Sequence, residues 1–289
     1  MVKKISDLYL DARRALLTRE DAEMAGFLAR HLLAHVTGKN QAQLLNEKEQ
    51  YVGADVCEAM EAGVARLLQG EPLAYVLGEW DFYGMTLYVD HNVLIPRDDT
   101  CAVTDLAIKQ GLFLNKDPRI LDLCTGSGCI GLAVAARVKD ARVTLADISK
   151  EALLVAKKNT TAQHLTGRVK CLQVNALEKP SAFLGKFDMI ISNPPYITTQ
   201  EMRELDDSVK DHEPHLALHG GDDGLDFYRA IAENFSAALK PGGYLCFEFG
   251  MGQGDDVCAI LEANGYTILE RTRDYNQRER AVLAQWKED

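Results

Sequence analysis

The 289-residue sequence lacks a long apolar run and contains no Cys-x-x-Cys pair. No run approaches the roughly 20 apolar residues that span a bilayer, and Asp7 and Asp11 interrupt the stretch that would be apolar in a signal peptide. The seven cysteines are scattered and odd in number, which predicts reduced thiols rather than a disulfide framework or a zinc ribbon. We therefore expect a soluble, cytoplasmic protein without a membrane partner.

Basic residues are too few for broad binding to nucleic acids. The formal net charge is −11, whereas nucleic-acid affinity depends on clustered Lys and Arg. Residues 198–226 alone hold nine acidic and two basic side chains, a local net charge of −7. Such a segment would repel phosphates and could steer a basic protein, although solvated helix ends explain acidic runs equally often. We expect no direct nucleic-acid partner.

Residues 1–78 are predicted to form a small helical bundle. Apolar side chains recur at helical spacing in three segments, of which two end at Gly38 and Gly70. In residues 21–37 the predicted apolar face carries Met24, Phe27, Leu28, His31, Leu32 and His35. We assign the two histidines to the core, because no third metal ligand accompanies them.

Residues 79–98 are predicted to form a β-hairpin that connects this bundle to a second domain. Alternating and β-branched residues occur in FYGMTLYVDHNVLIPR, and we place the turn of the hairpin at Asp90-His91-Asn92.

Residues 99–289 alternate short apolar strands with helices, as α/β domains do. Five strands are predicted at residues 119–124, 142–147, 169–174, 187–192 and 244–249. This alternation predicts a mostly parallel sheet with helices on both faces. Residues 266–272 and 280–286 have no helix between them, so we expect them to form an antiparallel pair at the edge of a seven-stranded sheet.

The first of these strands runs directly into a glycine-rich turn, residues 122–128, and then into an apolar helix. Glycines at such a turn let a ligand approach the backbone and the N-terminus of the helix. Asp147 ends the second strand nineteen residues after Gly128, where a carboxylate can accept hydrogen bonds from both hydroxyls of a ribose. The glycine spacing differs from the Gly-x-Gly-x-x-Gly of dinucleotide sites. The sequence therefore predicts a nucleoside site of another kind.

The fourth strand ends in Asn193-Pro194-Pro195-Tyr196, and the two prolines make this exit stiff. Together with the glycine turn and Asp147, this motif resembles the class I S-adenosylmethionine-dependent methyltransferases, and within them the branch that methylates planar nitrogens. The resemblance implies a Rossmann-like fold, S-adenosyl-L-methionine as cofactor, S-adenosyl-L-homocysteine as product, and no metal. Asn175 stands where relatives usually have an acidic residue near the adenine, and Cys124 where many have glycine. The implied cofactor-binding residues are Asp122, Thr125, Gly126, Ser127, Gly128, Asp147, Ile148, Asn175, Ala176 and Asn193.

An amide or amino nitrogen is a poor nucleophile, because its lone pair is delocalised. If the side-chain oxygen of Asn193 and the carbonyl of Pro194 each accept one N–H of the target, they fix the nitrogen beneath the methyl group. They also stabilise the positive charge that develops during transfer. We expect Tyr196 to pack against the planar group that is methylated. This assigns catalytic roles to Asn193, Pro194 and Tyr196.

Other stretches resemble the release factor glutamine methyltransferase family over essentially the whole chain. They include Gly70–Tyr75, Phe82-Tyr83-Gly84, Val93–Arg97 and Glu213-Pro214. Asp98 and Cys101 depart from the family pattern Arg-Pro-x-Thr-Glu at 97–101. The resemblance implies a monomer that methylates the glutamine of the Gly-Gly-Gln loop in class I peptide release factors, held by the N-terminal bundle. The implied substrate-binding residues are Asn193, Pro194, Pro195, Tyr196, Phe82 and Arg97.

Three other functions remain open at this point. A ribosomal-protein glutamine methyltransferase would use the same chemistry. An adenine or cytosine amino methyltransferase would need a basic, aromatic-lined groove, which the acidic composition disfavours. A binding module that keeps the fold without turnover would not need an intact Asn193-Pro194-Pro195-Tyr196.

Overall fold

The computed structural model describes residues 2–287, which form two compact units. One unit contains the chain up to Gly78 together with Asp207–His212, and the other contains Glu79–Asp206 and the chain from Glu213 onward. The sequence carries no signal that would group Asp207–His212 with the first unit.

The first unit is helical. Its helices are α1 (Ile5–Leu16), α2 (Ala22–Thr37), α3 (Gln41–Asn46), α4 (Ala54–Leu68), α5 (Leu73–Leu77) and the short α9 (Asp207–Lys210). Two short strands, β1 (Lys3–Lys4) and β2 (Tyr51–Val52), pair antiparallel. Helices α1, α2 and α4 pack against one another and bury Leu8, Leu32 and Met60. The predicted helical bundle is confirmed.

The buried face of α2 is rotated by part of a helical turn from the apolar face that the sequence predicts. The buried residues of this helix include Ala25, Leu28, Ala29, Leu32 and Leu33, whereas Met24, Phe27 and His35 are exposed. The small residues Ala25 and Ala29 allow close helix packing and define the buried stripe. His35 is exposed and His31 only partly buried, so the assignment of both histidines to the core is also wrong.

The second unit begins with a hairpin of β3 (Glu79–Phe82) and β4 (Met85–Tyr88). Its turn is Tyr83-Gly84, where φ is +52° and +76°, and not Asp90-His91-Asn92 as the sequence predicts. Two consecutive positive φ angles are typical of a type I′ turn, whose twist matches that of the strands. Residues 90–93 form a separate turn, in which the N–H of Val93 donates to the carbonyl of Asp90.

A seven-stranded sheet forms the centre of the second unit, as predicted. Its strands are β5 (Arg119–Leu123), β6 (Arg142–Asp147), β7 (Val169–Gln173), β8 (Phe187–Ser192), β9 (Leu239–Glu248), β10 (Tyr266–Arg273) and β11 (Glu279–Trp286). Their order is β10-β11-β9-β8-β5-β6-β7. The strands β5 to β9 run parallel to one another, and β11 pairs antiparallel with both β9 and β10.

Helices cover both faces of this sheet. They are α6 (Cys101–Phe113), α7 (Cys129–Arg137), α8 (Lys150–Ala162), α10 (Asp226–Asn234) and α11 (Gly254–Ala263). Alternate residues of β5 point to opposite faces, because successive side chains of a strand do so. Ile120 belongs to the apolar cluster that includes residues of α6, α7 and α8, and Leu121 to the cluster that includes residues of α10 and α11.

The parallel register aligns several strand ends. Leu123 of β5 lies opposite both Ala146 of β6 and Ser192 of β8, and Ser192 lies opposite Phe247 of β9. The residues that follow these positions therefore meet at one edge of the sheet, where α/β proteins commonly bind ligands. Among residues 2–287, no helix is long and apolar enough to cross a membrane.

Close packing between α7 and the sheet predicts that Gly131→Ala destabilises the fold. A Cβ at position 131 would overlap the Leu145 side chain and lie 2.8 Å from Oδ2 of Asp122. We expect the free energy of unfolding to fall by about 1–3 kcal/mol, although alanine gains about 1 kcal/mol in helix propensity. Urea denaturation measures the change.

Gly167→Ala provides the control, because among the described residues no atom beyond the two adjacent residues lies within 4 Å of a Cβ there. We expect it to change the free energy of unfolding by less than about 0.5 kcal/mol. Equal stability of the two variants would contradict the packing described for Gly131.

Candidate active site

A cleft lies at the carboxyl ends of β5, β6, β7 and β8, entirely within the second unit. The predicted site residues that line it are Arg97, Thr125, Gly126, Ser127, Asp147, Ile148, Asn175, Ala176, Asn193 and Pro195. Lining residues that were not predicted include Val93, Pro96, Thr100, Cys124, Val174, Leu177, Pro214, Leu216 and Phe227. The cleft thus joins the glycine-rich turn to the residues around Asn193.

The glycine-rich turn is supported from behind by Asp122. One carboxylate oxygen of Asp122 accepts hydrogen bonds from the hydroxyl of Thr125 at 2.6 Å and from the N–H of Gly131 at 2.9 Å. Asp122 is fully buried and is not part of the cleft lining, so the structure places it as a support of the turn. Gly126 and Gly128 have positive φ angles, and so does Cys124, which puts a non-glycine residue in the left-handed region.

Asp147 connects the turn to the end of β6. Its two carboxylate oxygens accept from the N–H of Gly126 at 2.9 Å and from the N–H of Ser149 at 3.0 Å. Burial raises the pKa of Asp147, while these backbone hydrogen bonds oppose the rise. A carboxylate oxygen has more than one acceptor site, so both oxygens can still accept from hydroxyl groups in the cleft.

The end of β7 supplies a mixed wall to the cleft. Val174, Ala176 and Leu177 are apolar, and Ile148 from the end of β6 also lines the cleft. Asn175 uses its side chain locally, since its oxygen accepts from the N–H of Leu177 at 3.0 Å and its nitrogen donates to Glu178 at 2.9 Å. The predicted hydrogen bond from Asn175 to an adenine would have to use the second acceptor site of that oxygen.

The loop after β8 is held at several points. Asn193 is half-buried, and its Nδ2 donates to the hydroxyl of Thr100 at 3.4 Å. Pro194 and Pro195 are buried, and the carbonyl of Tyr196 accepts from Nε2 of Gln253 at 3.1 Å. With Nδ2 directed to Thr100, the side-chain oxygen of Asn193 remains to accept a hydrogen bond in the cleft.

Two aromatic residues do not lie where a direct contact with substrate was expected. Phe82 is 3% exposed in the core under the hairpin, which corrects its assignment to substrate binding. Tyr196 packs against the apolar cluster that contains Phe249, and it is not part of the cleft lining. Burial raises the pKa of Tyr196. Gly128 and Pro194 are also absent from the lining of the cleft.

An ion pair between Arg97 and Glu213 closes another side of the site. The Glu213 side chain is 1% exposed, and it accepts from the guanidinium of Arg97 and from the N–H of Ile95. It therefore fixes the segment that carries the lining residues Val93 and Pro96. Glu213 does not contribute to an acidic surface, contrary to the count made from the sequence. Arg97 and Glu213 are 116 residues apart in the chain. In the sequence, only the resemblance of the segments around both residues to one family singled them out.

The chain matches two families over separate segments. Residues 8–78 match the PrmC N-terminal domain, and residues 105–220 match the Methyltransferase small domain. A release factor glutamine methyltransferase of Clostridium acetobutylicum is 38% identical over 253 residues, covering 88% of each chain. A protein of the same name from Chlorobaculum tepidum is 37% identical over 257 residues, covering 87% of each chain.

Solved structures support the fold alone. The hMettl16 catalytic domain, solved in complex with MAT2A 3'UTR hairpin 6, has a TM-score of 0.58 at 14% identity and covers 89% of this chain and 92% of its own. A methyltransferase from Pyrococcus furiosus has a TM-score of 0.52 at 16% identity, covering 78% and 98%.

The fold and the site define a class I S-adenosylmethionine-dependent methyltransferase. At 37–38% identity over most of its length, the chain belongs to the release factor glutamine methyltransferase family. The cleft fits the cofactor of this class. Asp147 offers acceptors for ribose hydroxyls, the turn at Gly126 exposes backbone, and Ile148, Val174 and Leu177 offer apolar surface for a base.

We expect Asp147→Ala to weaken binding of S-adenosylmethionine. The change removes two hydrogen bonds to a charged acceptor, each of which contributes about 1.5–3 kcal/mol, and it leaves the N–H groups of Gly126 and Ser149 without their partner. Calorimetric titration should show an affinity lower by at least about tenfold. The exposed Asp140→Ala is the control and should bind normally. Unchanged affinity in Asp147→Ala would remove this residue from the cofactor site.

The burial of Asp122 predicts that the free energy of unfolding depends on pH. Burial raises the pKa of this carboxyl from 3.8 to about 7. The folded protein therefore retains a proton that the unfolded chain releases, and the free energy of unfolding falls as pH rises from about 4 to about 7. Asp122→Asn lacks this titration. Its stability relative to the wild type should rise by about 1.4 kcal/mol per pH unit across that window.

Urea denaturation at a series of pH values measures this difference, with Asp140→Asn as the exposed control. A constant difference between Asp122→Asn and wild type at all pH values would show that Asp122 is not a buried acid with a raised pKa.

Proposed function

We propose that this protein transfers a methyl group from S-adenosyl-L-methionine to the side-chain amide nitrogen of the glutamine in the Gly-Gly-Gln motif of class I peptide release factors. The observation that carries the proposal is the placement of Asn193. Its carboxamide lines the same cleft as Asp147 and the glycine-rich turn, with its nitrogen turned towards Thr100. The relatives in the family carry the corresponding name.

Asn193 and Pro194 provide the two acceptors that a primary amide requires. The oxygen of Asn193 is available in the cleft, and within residues 2–287 no hydrogen bond to the carbonyl of Pro194 is formed. An NH₂ group that donates to both would have its position and rotation fixed. The same acceptors stabilise the positive charge that develops on the nitrogen as it becomes tetrahedral.

S-adenosylmethionine supplies an electrophilic methyl group on a sulfonium when it is bound. Asp147 and the turn at Gly126 hold the nucleoside part, and the prolines keep the acceptors rigid. The bound cofactor would supply its methyl group to the amide nitrogen and keep the sulfur as a neutral thioether, while Asn193 and Pro194 would hold that nitrogen in place. The nitrogen then loses one proton to solvent, so no strong base and no metal are needed. Within the described chain, no His, Cys, Asp or Glu side chains cluster as a metal site would require.

Recognition of the partner is assigned to surfaces outside the cleft. The helical unit, which contains the segment that matches the PrmC N-terminal domain, is proposed to hold the release factor. The acidic residues of 198–226, apart from the buried Glu213, are proposed to attract a basic partner. The acidic residues support a protein substrate over a nucleic acid, because their carboxylates would repel phosphates.

The test compares substrates directly. The wild-type protein is incubated with labelled S-adenosylmethionine and, separately, with a class I release factor, ribosomal proteins and DNA. Label on the Gly-Gly-Gln glutamine of the release factor, located by peptide mass spectrometry, is the expected result. Label on a ribosomal-protein glutamine or on DNA bases, with none on the release factor, would overturn the proposed substrate.

Asn193→Ala should abolish turnover while cofactor binding persists. Loss of one preorganised acceptor in the transition state typically slows a reaction about a hundred- to a thousandfold. Single-turnover methylation and calorimetric affinity for S-adenosylmethionine are measured side by side, with the exposed Asn276→Ala as control. A wild-type rate in Asn193→Ala would reduce the motif to a structural turn. Joint loss of binding and activity would instead place Asn193 in the nucleoside site.

A further inference from the structure

A buried carboxyl group lies directly behind the active-site asparagine. Glu248 is the last residue of β9 and is 2% exposed. Ser192 and Phe247 are register partners in parallel strands, so Asn193, which follows β8, and Glu248, which ends β9, lie at the same edge of the sheet. Among the described residues, Oε2 of Glu248 has no hydrogen-bond partner.

Both neutral and charged side chains face the carboxyl of Glu248. Burial raises the pKa of its carboxyl to about 7, while hydrogen bonding by Thr100, the charge of Arg280 and hydrogen bonding by Asn193 oppose the rise. Arg280 is the nearby cation, but its guanidinium is shared with Asp99 at 3.0 Å and with Asp274 at 3.5 Å. Arg280 therefore has two carboxylate partners besides the nearby Glu248. The neutral side chains of Thr100 and Asn193 also face the carboxyl of Glu248.

We propose that Glu248 is a positioning residue that orients the carboxamide of Asn193, and this rests on the proposed function of Asn193 as an acceptor. A carboxamide has two nearly isosteric orientations, with either its oxygen or its nitrogen towards the substrate. The nitrogen of Asn193 donates to the hydroxyl of Thr100, and the carboxyl of Glu248 at the neighbouring strand end holds an acceptor oxygen without a partner among the described residues. When Glu248 is ionised, the flipped orientation would set the Asn193 oxygen against two carboxylate oxygens, which can only accept hydrogen bonds. The oxygen of Asn193 is thereby directed to the target N–H.

Glu248→Leu removes the acceptor, and Glu248→Gln keeps one acceptor oxygen in a side chain of the same shape. We expect Glu248→Leu to lower kcat about 10- to 100-fold, because a misplaced group in the active site costs up to about a hundredfold. The release-factor KM and the affinity for S-adenosylmethionine should change by less than about threefold. Glu248→Gln should recover most of the lost rate. The exposed Glu262→Leu is the control.

A double-mutant comparison separates this inference from the proposed function. If Glu248 acts through Asn193, adding Glu248→Leu to Asn193→Ala should slow single-turnover methylation no further. A further loss in the double variant, or a wild-type kcat in Glu248→Leu while Asn193→Ala is inactive, would overturn the role of Glu248. A wild-type rate in Asn193→Ala would instead overturn the proposed function itself.

A measurement on the wild type covers the case in which Glu248→Leu does not fold. The protein is labelled with ¹⁵N-asparagine, and the side-chain NH₂ signal of Asn193 is assigned by its absence in Asn193→Ala. A held carboxamide should exchange its NH₂ protons with solvent at least about tenfold more slowly than the exposed Asn276. Equal exchange of the two side chains would show that Asn193 is not held and would overturn the proposal.

Discussion

The register of the parallel strands is the constraint on which the site depends. Leu123, Ala146, Ser192 and Phe247 lie level with one another across four strands. Residues that are distant in the chain therefore leave the sheet at the same edge, with the glycine-rich turn, Asp147, Asn193 and Glu248 as immediate neighbours of the strand ends. A shift of one residue in any strand would send these side chains to the opposite face.

Three carboxyl groups near this edge serve different purposes. Asp122 is fully buried and holds the turn, Asp147 joins the turn to the cleft, and Glu248 lies behind Asn193. Burial raises the pKa of each, and hydrogen bonds oppose the rise in each. N–H and O–H donors thus pair with one oxygen of Asp122 and with both oxygens of Asp147, whose unpaired burial would be costly. This arrangement keeps the acceptors in fixed positions before a substrate arrives.

Features that depend on local pattern could be predicted from the sequence, and features that depend on tertiary packing could not. The seven strands follow from short apolar runs, and Asp147 follows from its spacing after the glycine turn. The predicted position of the hairpin turn was wrong, because Asp90-His91-Asn92 is a stronger turn signal than Tyr83-Gly84. Neither the burial of Phe82 nor the pairing of Arg97 with Glu213 leaves a local signature, because both depend on residues far away in the chain.

The central claim is that two acceptors, Asn193 and Pro194, bind both N–H groups of the target amide. The most direct measurement drives methylation of a release factor to completion with excess S-adenosylmethionine and counts methyl groups on the Gly-Gly-Gln glutamine by peptide mass spectrometry. A monomethylated amide has only one N–H and would leave one acceptor unpaired beside a methyl group. The account predicts that the product stops at one methyl group. Accumulation of a dimethylated glutamine at a rate comparable to that of the first transfer would contradict it.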